Sequence, residues 1–276
     1  MEKSLPKTLI TGGKGMVGSY FDFGVKTDHR SLDITDLKSA LEFCSREKPG
    51  IIIHLAAETD MDRCERDPMH GYNVNTIGTY NMALAAKKAG ATLVYISTGA
   101  VFNGEKGNYT EDDEPDPRTF YGRSKYLAEL IVSGMSNNHL IIRAGWIFGG
   151  GPERDKKFVA KIMGQLDTAE IKAVTDKMGS PTYAKDFAKG IKGLLAEGRR
   201  GLFNLSNKGA ASRYEVAKEI VQIVGSSVKV TPVDSSYFNL EAHRGHSEAI
   251  VSSKISPMRP WQEALREYIK EEWRNK

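Results

Sequence analysis

The chain has 276 residues, 40% hydrophobic and 27% charged, enough for one large α/β domain or a domain with an appendage. Its formal net charge of +4 comes from interspersed basic and acidic residues, which argues against a nucleic-acid partner and fits a small anionic substrate as well as a plain mixed-charge surface. Cys44 and Cys64 make neither a metal-ligand spacing nor a disulfide framework, and no apolar run reaches membrane-spanning length, so the expectation is a soluble cytoplasmic protein with no metal site.

The first residues, Met1–Lys7, hold no signal-type apolar segment and lead straight into a strand. Thr8-Leu-Ile-Thr11 is short, apolar and β-branched, and reads as a buried first strand. Gly12-Gly-Lys-Gly-Met-Val-Gly18 follows it and matches a phosphate-binding turn in two registers. Its glycines allow a tight turn and close backbone approach to a pyrophosphate, with the amides of a following helix facing the anion. Gly12, Gly15, Met16, Val17 and Gly18 are therefore candidate cofactor contacts. Only Met16–Phe23 is available for that first helix before a second strand, Val25-Lys-Thr-Asp28. Asp28, at the strand end, is placed to bond the adenosine ribose hydroxyls. His29 and Arg30 beside it can instead neutralise a 2′-phosphate, or form a solvated basic loop, so both NADPH and NADH stay open.

Thr35 or Asp36 caps a helix running through Arg46, with Leu37, Leu41 and Cys44 at helical spacing. Ile51-Ile-Ile-His-Leu-Ala-Ala57 is a third buried strand ending in Ala56 and Ala57, small enough for a flat cofactor to lie against. His54, inside it, reads as a core histidine. Pro68 opens a long helix that Gly90 stops. Thr92–Ser97 is the fourth strand, which puts Thr98 at the edge where parallel sheets place ligands. After a polar loop, a helix carries Tyr121 and Lys125, four apart and so on one face. A lysine ammonium beside a phenol lowers the phenol's pKa. Such a phenol exchanges a proton with a carbonyl or hydroxyl oxygen, and the Thr98 hydroxyl can reach the same oxygen. His139–Arg143 is the fifth strand.

Alternation of strands and helices to this point predicts a doubly wound parallel sheet of the Rossmann type. We divide the chain into a dinucleotide-binding domain over 1–150 and a smaller substrate lobe over 151–276, with segments near 184–206 returning to the Rossmann core. Helices are predicted near Lys156–Leu166 and Lys185–Ala196, and strands near Ile171–Val174 and Leu202–Ser206. Ser212-Arg-Tyr-Glu215 is a capping box for a helix through Val224, and Pro260 starts a last amphipathic helix. Arg143, Trp146, Phe148 and Arg244 are candidates to line the cleft between the lobes, with core or surface positions an equal alternative.

Taken together these segments resemble the extended short-chain dehydrogenase/reductases, and among them the dTDP-4-dehydrorhamnose reductase family, over nearly the whole chain. The resemblance rests on Thr11-Gly-Gly-Lys-Gly-Met-Val-Gly18, Leu32-Asp-Ile-Thr-Asp36, Ala56-Ala-Glu-Thr-Asp-Met-Asp62, Ser97-Thr98 with Val101-Phe102, Tyr121-Gly-Arg-Ser-Lys125, Arg143-Ala-Gly-Trp-Ile-Phe148 and Lys177-Met-Gly-Ser-Pro-Thr182, in that order and spacing. It implies an NAD(P)H-dependent reduction at C4 of a nucleotide-linked 4-keto-6-deoxyhexose. Tyr121 would donate the proton, Lys125 would lower the Tyr121 pKa and bond the nicotinamide ribose, and Thr98 would orient the carbonyl. By the same resemblance Asp33 and Ile34 border the adenine, Ala56, Ala57 and Thr59 line the cofactor, and Gly99, Trp146 and Arg244 join Thr98 at the substrate. A homodimer is compatible with the family. Two departures stand out: Gly99-Ala100 replaces the family's Asp-Tyr, and His243-Arg-Gly245 replaces its Arg-Arg-Pro. A 4,6-dehydratase would need an acid/base pair where Gly99-Ala100 stands. A nucleotide-sugar 4-epimerase and a non-catalytic dinucleotide-binding regulatory subunit are the competing readings.

Overall fold

Thr8–Thr11 (β1) is buried along its whole length, as a strand with helices on both faces must be. The computed structural model describes residues 6–273, so the reading of residues 1–5 lies outside the described part. β1 pairs in parallel with Val25–Lys26 (β2) on one side and Ile51–His54 (β3) on the other. Between these lies Leu37–Glu47 (α1), capped by the Asp36 carboxylate, which accepts from the Lys38 amide. After β3 come Met61–Arg66 (α2), Pro68–Tyr72 (α3) and Gly78–Ala89 (α4). Asp67 caps α3 with Pro68 at its first position, and Gly90 ends α4 in the left-handed conformation. A π-helical turn, Asn73–Ile77, joins α3 to α4. Thr92–Thr98 (β4), Phe120–Met135 (α5) and His139–Ala144 (β5) complete the first half.

The second half contributes Ile147–Phe148 (β6), Gly151–Arg154 (α6), Phe158–Met163 (α7), Glu170–Val174 (β7), Met178–Gly179 (β8), Thr182–Tyr183 (β9) and Ala184–Ala196 (α8). Gly201–Leu205 (β10), Asn207–Lys208 (β11), Ala211–Ser212 (β12), Arg213–Val224 (α9), Lys229–Val233 (β13), Met258–Pro260 (β14) and Trp261–Glu272 (α10) follow. β10 pairs in parallel with β5, so the central sheet has six parallel strands in the order β10-β5-β4-β3-β1-β2. One core packs between the sheet and α1, α4 and α5; a second, with Phe21 and α8, covers the other face. A third core joins α7, α9 and α10 around Phe148, Tyr183 and Tyr268. Ser212 and Glu215 form the reciprocal capping box at α9. Among the described residues no helix is long and apolar enough to cross a membrane.

Three expectations need correction. No helix forms over Met16–Phe23; a single 3-10 turn, Val17–Tyr20, stands there, because Phe21 turns inward, buried against the sheet. β2 stops at Lys26, before Asp28. Arg143 and Phe148 do not line a cleft. Phe148 stacks on Tyr183 in the third core, with ring centroids 5.6 Å apart. Arg143 makes a bidentate ion pair with Glu129 of α5, at 2.9 and 2.7 Å, with both side chains buried.

That buried pair predicts a stability effect. Glu129→Ala leaves the Arg143 guanidinium uncompensated inside the protein and should cost roughly 3–5 kcal/mol in urea unfolding. A loss below about 1 kcal/mol, the range of exposed pairs, would mean the charge finds another partner or water.

Candidate functional site

The carboxyl ends of β1, β3 and β4 converge on one edge of the sheet, where open α/β folds bind ligands. At the end of β1, Gly12 sits at φ +64°, and a Cβ there would lie 2.8 Å from the Ala56 amide nitrogen. Only glycine fits, so the Gly12–Gly18 turn lies flush against the end of β3. This cradle of bare backbone beside Ala56 and Ala57 suits the pyrophosphate of a dinucleotide. A 3-10 turn, not a full helix, follows it. Met16 packs against Gly150, and Val17 reaches the core on the α8 face.

Asp28 is engaged by the same turn. Its carboxylate accepts from Lys14 Nζ at 2.6 Å and from the Ser31 hydroxyl, contacts that hold its pKa well below the usual carboxylate range. His29 and Arg30 are exposed beside it. Asp33 caps its own turn through the Thr35 amide and hydroxyl. Ile34, expected next to the adenine, is buried: its side chain packs against Gly78 and its carbonyl accepts from the Asn81 side chain. Thr59 accepts a hydrogen bond from Lys157 Nζ at 3.0 Å. His54 is buried between Thr11 and Thr79, and burial pushes its pKa down to about 3, so it is a neutral structural histidine.

Thr98 ends β4, and its hydroxyl accepts from the Ala100 amide at 3.1 Å. α5 starts beside it, capped by Thr119, and brings Tyr121 and Lys125 to that edge. The π-helical turn holds this helix: Asn75 Nδ2 donates to the Ser124 hydroxyl at 3.0 Å and Thr76 donates to the Ser124 carbonyl at 2.8 Å. π-turns of this kind recur at functional sites.

The electrostatics differ from the sequence expectation. Burial, with a smaller push from Glu248, raises the Tyr121 phenol to about 12; the opposing influence is the neighbouring Thr98 hydroxyl, not the lysine. Lys125 Nζ donates to the Ile96 carbonyl at 2.6 Å and lies over the Tyr95 ring. Burial pulls its pKa down to about 7, against the raising influence of Glu129. A buried amine that has lost much of its charge cannot act as the strong acidifying neighbour that the four-residue spacing suggests.

The second half supplies the opposite wall. Trp146 stacks with Arg213, whose guanidinium carbon lies 3.6 Å from the ring centroid. Arg244 pairs with Asp62 of α2 at 3.2 Å, and Lys177 donates to the Arg244 carbonyl. Gly99 packs under the backbone of Glu248. Thr98 and Glu248 thus both act on Tyr121, with Gly99 against the Glu248 backbone and Lys125 one turn further along α5. Sequence reasoning missed Glu248 and Arg213, and saw Lys177 only as the start of the Lys177–Thr182 segment: Arg213 registers only as the first residue after a helix cap, and Glu248 lies in a stretch without periodicity. Among the described residues no group of three or more metal-ligating side chains forms.

Comparison with known proteins agrees with this geometry. The family described as RmlD substrate binding domain matches residues 6–273. The spore coat polysaccharide biosynthesis protein SpsK of Bacillus subtilis is 35% identical, over 97% of this chain and 98% of that protein. A crystal structure of dTDP-4-dehydrorhamnose reductase from Yersinia enterocolitica superposes with a TM-score of 0.89 at 38% identity, covering 96% of this chain and 98% of that one. The dTDP-4-dehydrorhamnose reductase of Bacillus anthracis in complex with NADP gives 0.92 at 32% identity, with 97% and 100% covered. The chain belongs to the RmlD substrate binding domain family of extended short-chain dehydrogenase/reductases.

Proposed function

We propose that the chain is an NADPH-dependent reductase acting on the C4 carbonyl of a nucleotide-linked 4-keto-6-deoxyhexose, of the dTDP-4-dehydrorhamnose class. The observation that carries this reading is the Thr98–Tyr121 pair at the carboxyl edge of the parallel sheet, across from the Gly12–Gly18 turn, in a chain whose full-length relatives include reductases of that name. When bound, the reduced nicotinamide supplies hydride to the carbonyl carbon.

The chain's residues do the rest. Gly12, Gly15, Met16, Val17 and Gly18 form the pyrophosphate cradle; Asp28, His29, Arg30 and Asp33 border the adenosine, with Arg30 meeting a 2′-phosphate. Ala56, Ala57 and Thr59 line the dinucleotide. Thr98 orients the carbonyl by donating to its oxygen. Tyr121 gives its proton to the same oxygen as negative charge develops there; an alkoxide is a stronger base than a phenolate, so the transfer is favourable even from a pKa of about 12. Lys125, one turn on, bonds the nicotinamide ribose and, when protonated, stabilises the phenolate left behind. Trp146 packs near the sugar ring, and Arg244, with Lys177 beside it, faces the diphosphate. We also place the protein in the cytoplasm as a homodimer; Ile77, Tyr80, Leu127 and Leu130, exposed and apolar at or near α4 and α5, support self-association.

Supplying a panel of nucleotide-linked 4-keto sugars should produce substrate-dependent loss of NADPH absorbance; no loss with any member would remove the reading. Tyr121→Phe should lower kcat by about 10²–10⁴-fold, the usual worth of a general acid, with NADPH affinity retained. Comparable turnover in the variant would mean another group supplies the proton. Arg30→Ala should weaken NADPH more than NADH, and equal effects would mark Arg30 as a plain surface charge.

Lys125 also predicts a pH dependence of stability. Its pKa falls from 10.5 to about 7 on folding, so between those values the unfolded chain binds the extra proton. The destabilisation is full below about pH 7, and stability recovers as pH rises toward 10.5. Lys125→Met should flatten that rise in denaturation curves; an unchanged slope would show that the amine titrates normally.

A further inference from the structure

One carboxylate in the cleft has no part in the proton transfer or in the fold's ion pairs. Glu248 lies in the irregular stretch between β13 and β14, and its amide donates to the Met178 carbonyl of β8 at 2.9 Å. That bond sets it across from the end of β4. Its own carbonyl oxygen is so close to Gly99 that a Cβ there would lie 2.5 Å away. The position after Thr98 therefore offers only backbone to the cleft, and the acidic group on this side comes from the opposite wall.

Burial raises the Glu248 carboxyl above its ordinary range, and among the described residues no ion pair fixes it. The Trp146 side chain is one of the groups that favour its charged form. Arg213, Arg244 and Lys177 offset its charge through space, but each is engaged elsewhere: Arg213 on the Trp146 ring, Arg244 on Asp62, and Lys177 on the Arg244 carbonyl. Among the described residues no cation lies within ion-pair distance of it. Glu58, another carboxylate whose charge reaches Tyr121, is in the opposite condition: it accepts from Arg63 at 3.0 Å, His70 at 3.1 Å and the Asp60 amide at 2.9 Å.

We propose that Glu248 is a specificity-determining residue of the sugar site, its carboxylate accepting a hydrogen bond from the ring hydroxyl adjacent to the carbonyl that Tyr121 and Thr98 serve. The assignment rests on the reductase reading above. Glu248 acts on Tyr121 and sits against Gly99, next to Thr98, so a sugar with its carbonyl at Tyr121 and Thr98 brings the adjacent hydroxyl to the side on which Glu248 stands. Sites built to bond a hydroxyl reject analogues that lack it, because the site's own polar group is then desolvated without a partner.

The test uses the full chain with NADPH, a dTDP-linked 4-keto-6-deoxyhexose and the analogue deoxygenated at C3, comparing wild type with Glu248→Gln and Glu248→Ala. Wild type should prefer the parent sugar. Both variants should lose about tenfold or more in kcat/KM on the parent, in line with a hydrogen bond to a charged group, and little on the deoxy analogue. NADPH affinity, read by fluorescence, should not change. Equal losses on both sugars, no loss on either, or a parallel loss of NADPH binding would overturn the assignment, the last by showing a structural role. A wild-type protein silent on both sugars would instead remove the reductase reading, and the Glu248 assignment with it.

Discussion

The bidentate pair between Arg143 of β5 and Glu129 of α5 fixes how the helix is rotated against the sheet. Both partners are buried, so the pair tolerates little change in geometry before a charge is left unmatched. Glu129 lies one turn beyond Lys125 and two beyond Tyr121, so locking its position orients the face that carries both. Lys125 is tied down in turn by the Ile96 carbonyl, and Ser124 by the π-helical turn ahead of α4. The reactive phenol thus sits on a helix held at successive points along its length, which is how rigid elements keep a proton donor within reach of its target.

Burial sets the chemical character of this group more than charge does. A four-residue spacing shows that Tyr121 and Lys125 share a face, but not what else lies there. The structure adds the missing quantity, desolvation, which moves the phenol up and the amine down, so that near pH 7 the phenol is neutral and the amine only partly charged.

Much of the fold was legible because it is written locally. Asp36, Pro68, Gly90 and the Ser212–Glu215 box mark helix ends by their own hydrogen-bonding and backbone preferences, and the return of Gly201–Leu205 to the sheet follows from its apolar, strand-like run. The glycine turn and the Tyr121–Lys125 spacing were visible for the same reason. What was not legible depends on distant partners. Phe21 prefers the core to continuing a helix, and Arg143 looks like a cleft residue until Glu129 is seen opposite it. Arg213, Lys177 and Arg244 bring their charges to Glu248 from segments that share no periodic signal. The substrate side is therefore harder to read than the cofactor side, which comes largely from consecutive strand ends.

The placement of β10 has a practical consequence for anyone dividing the chain. It covers the outer edge of β5, and Asn204 on it donates its backbone amide to the Glu111 carboxylate and its side-chain amide to the Tyr109 and Val251 carbonyls. A fragment cut near residue 150 would strip that strand away, leaving the backbone of β5 open along its length to pairing with other molecules. The nucleotide-binding half is thus completed by a segment made later in the chain, and expression of that half by itself invites aggregation.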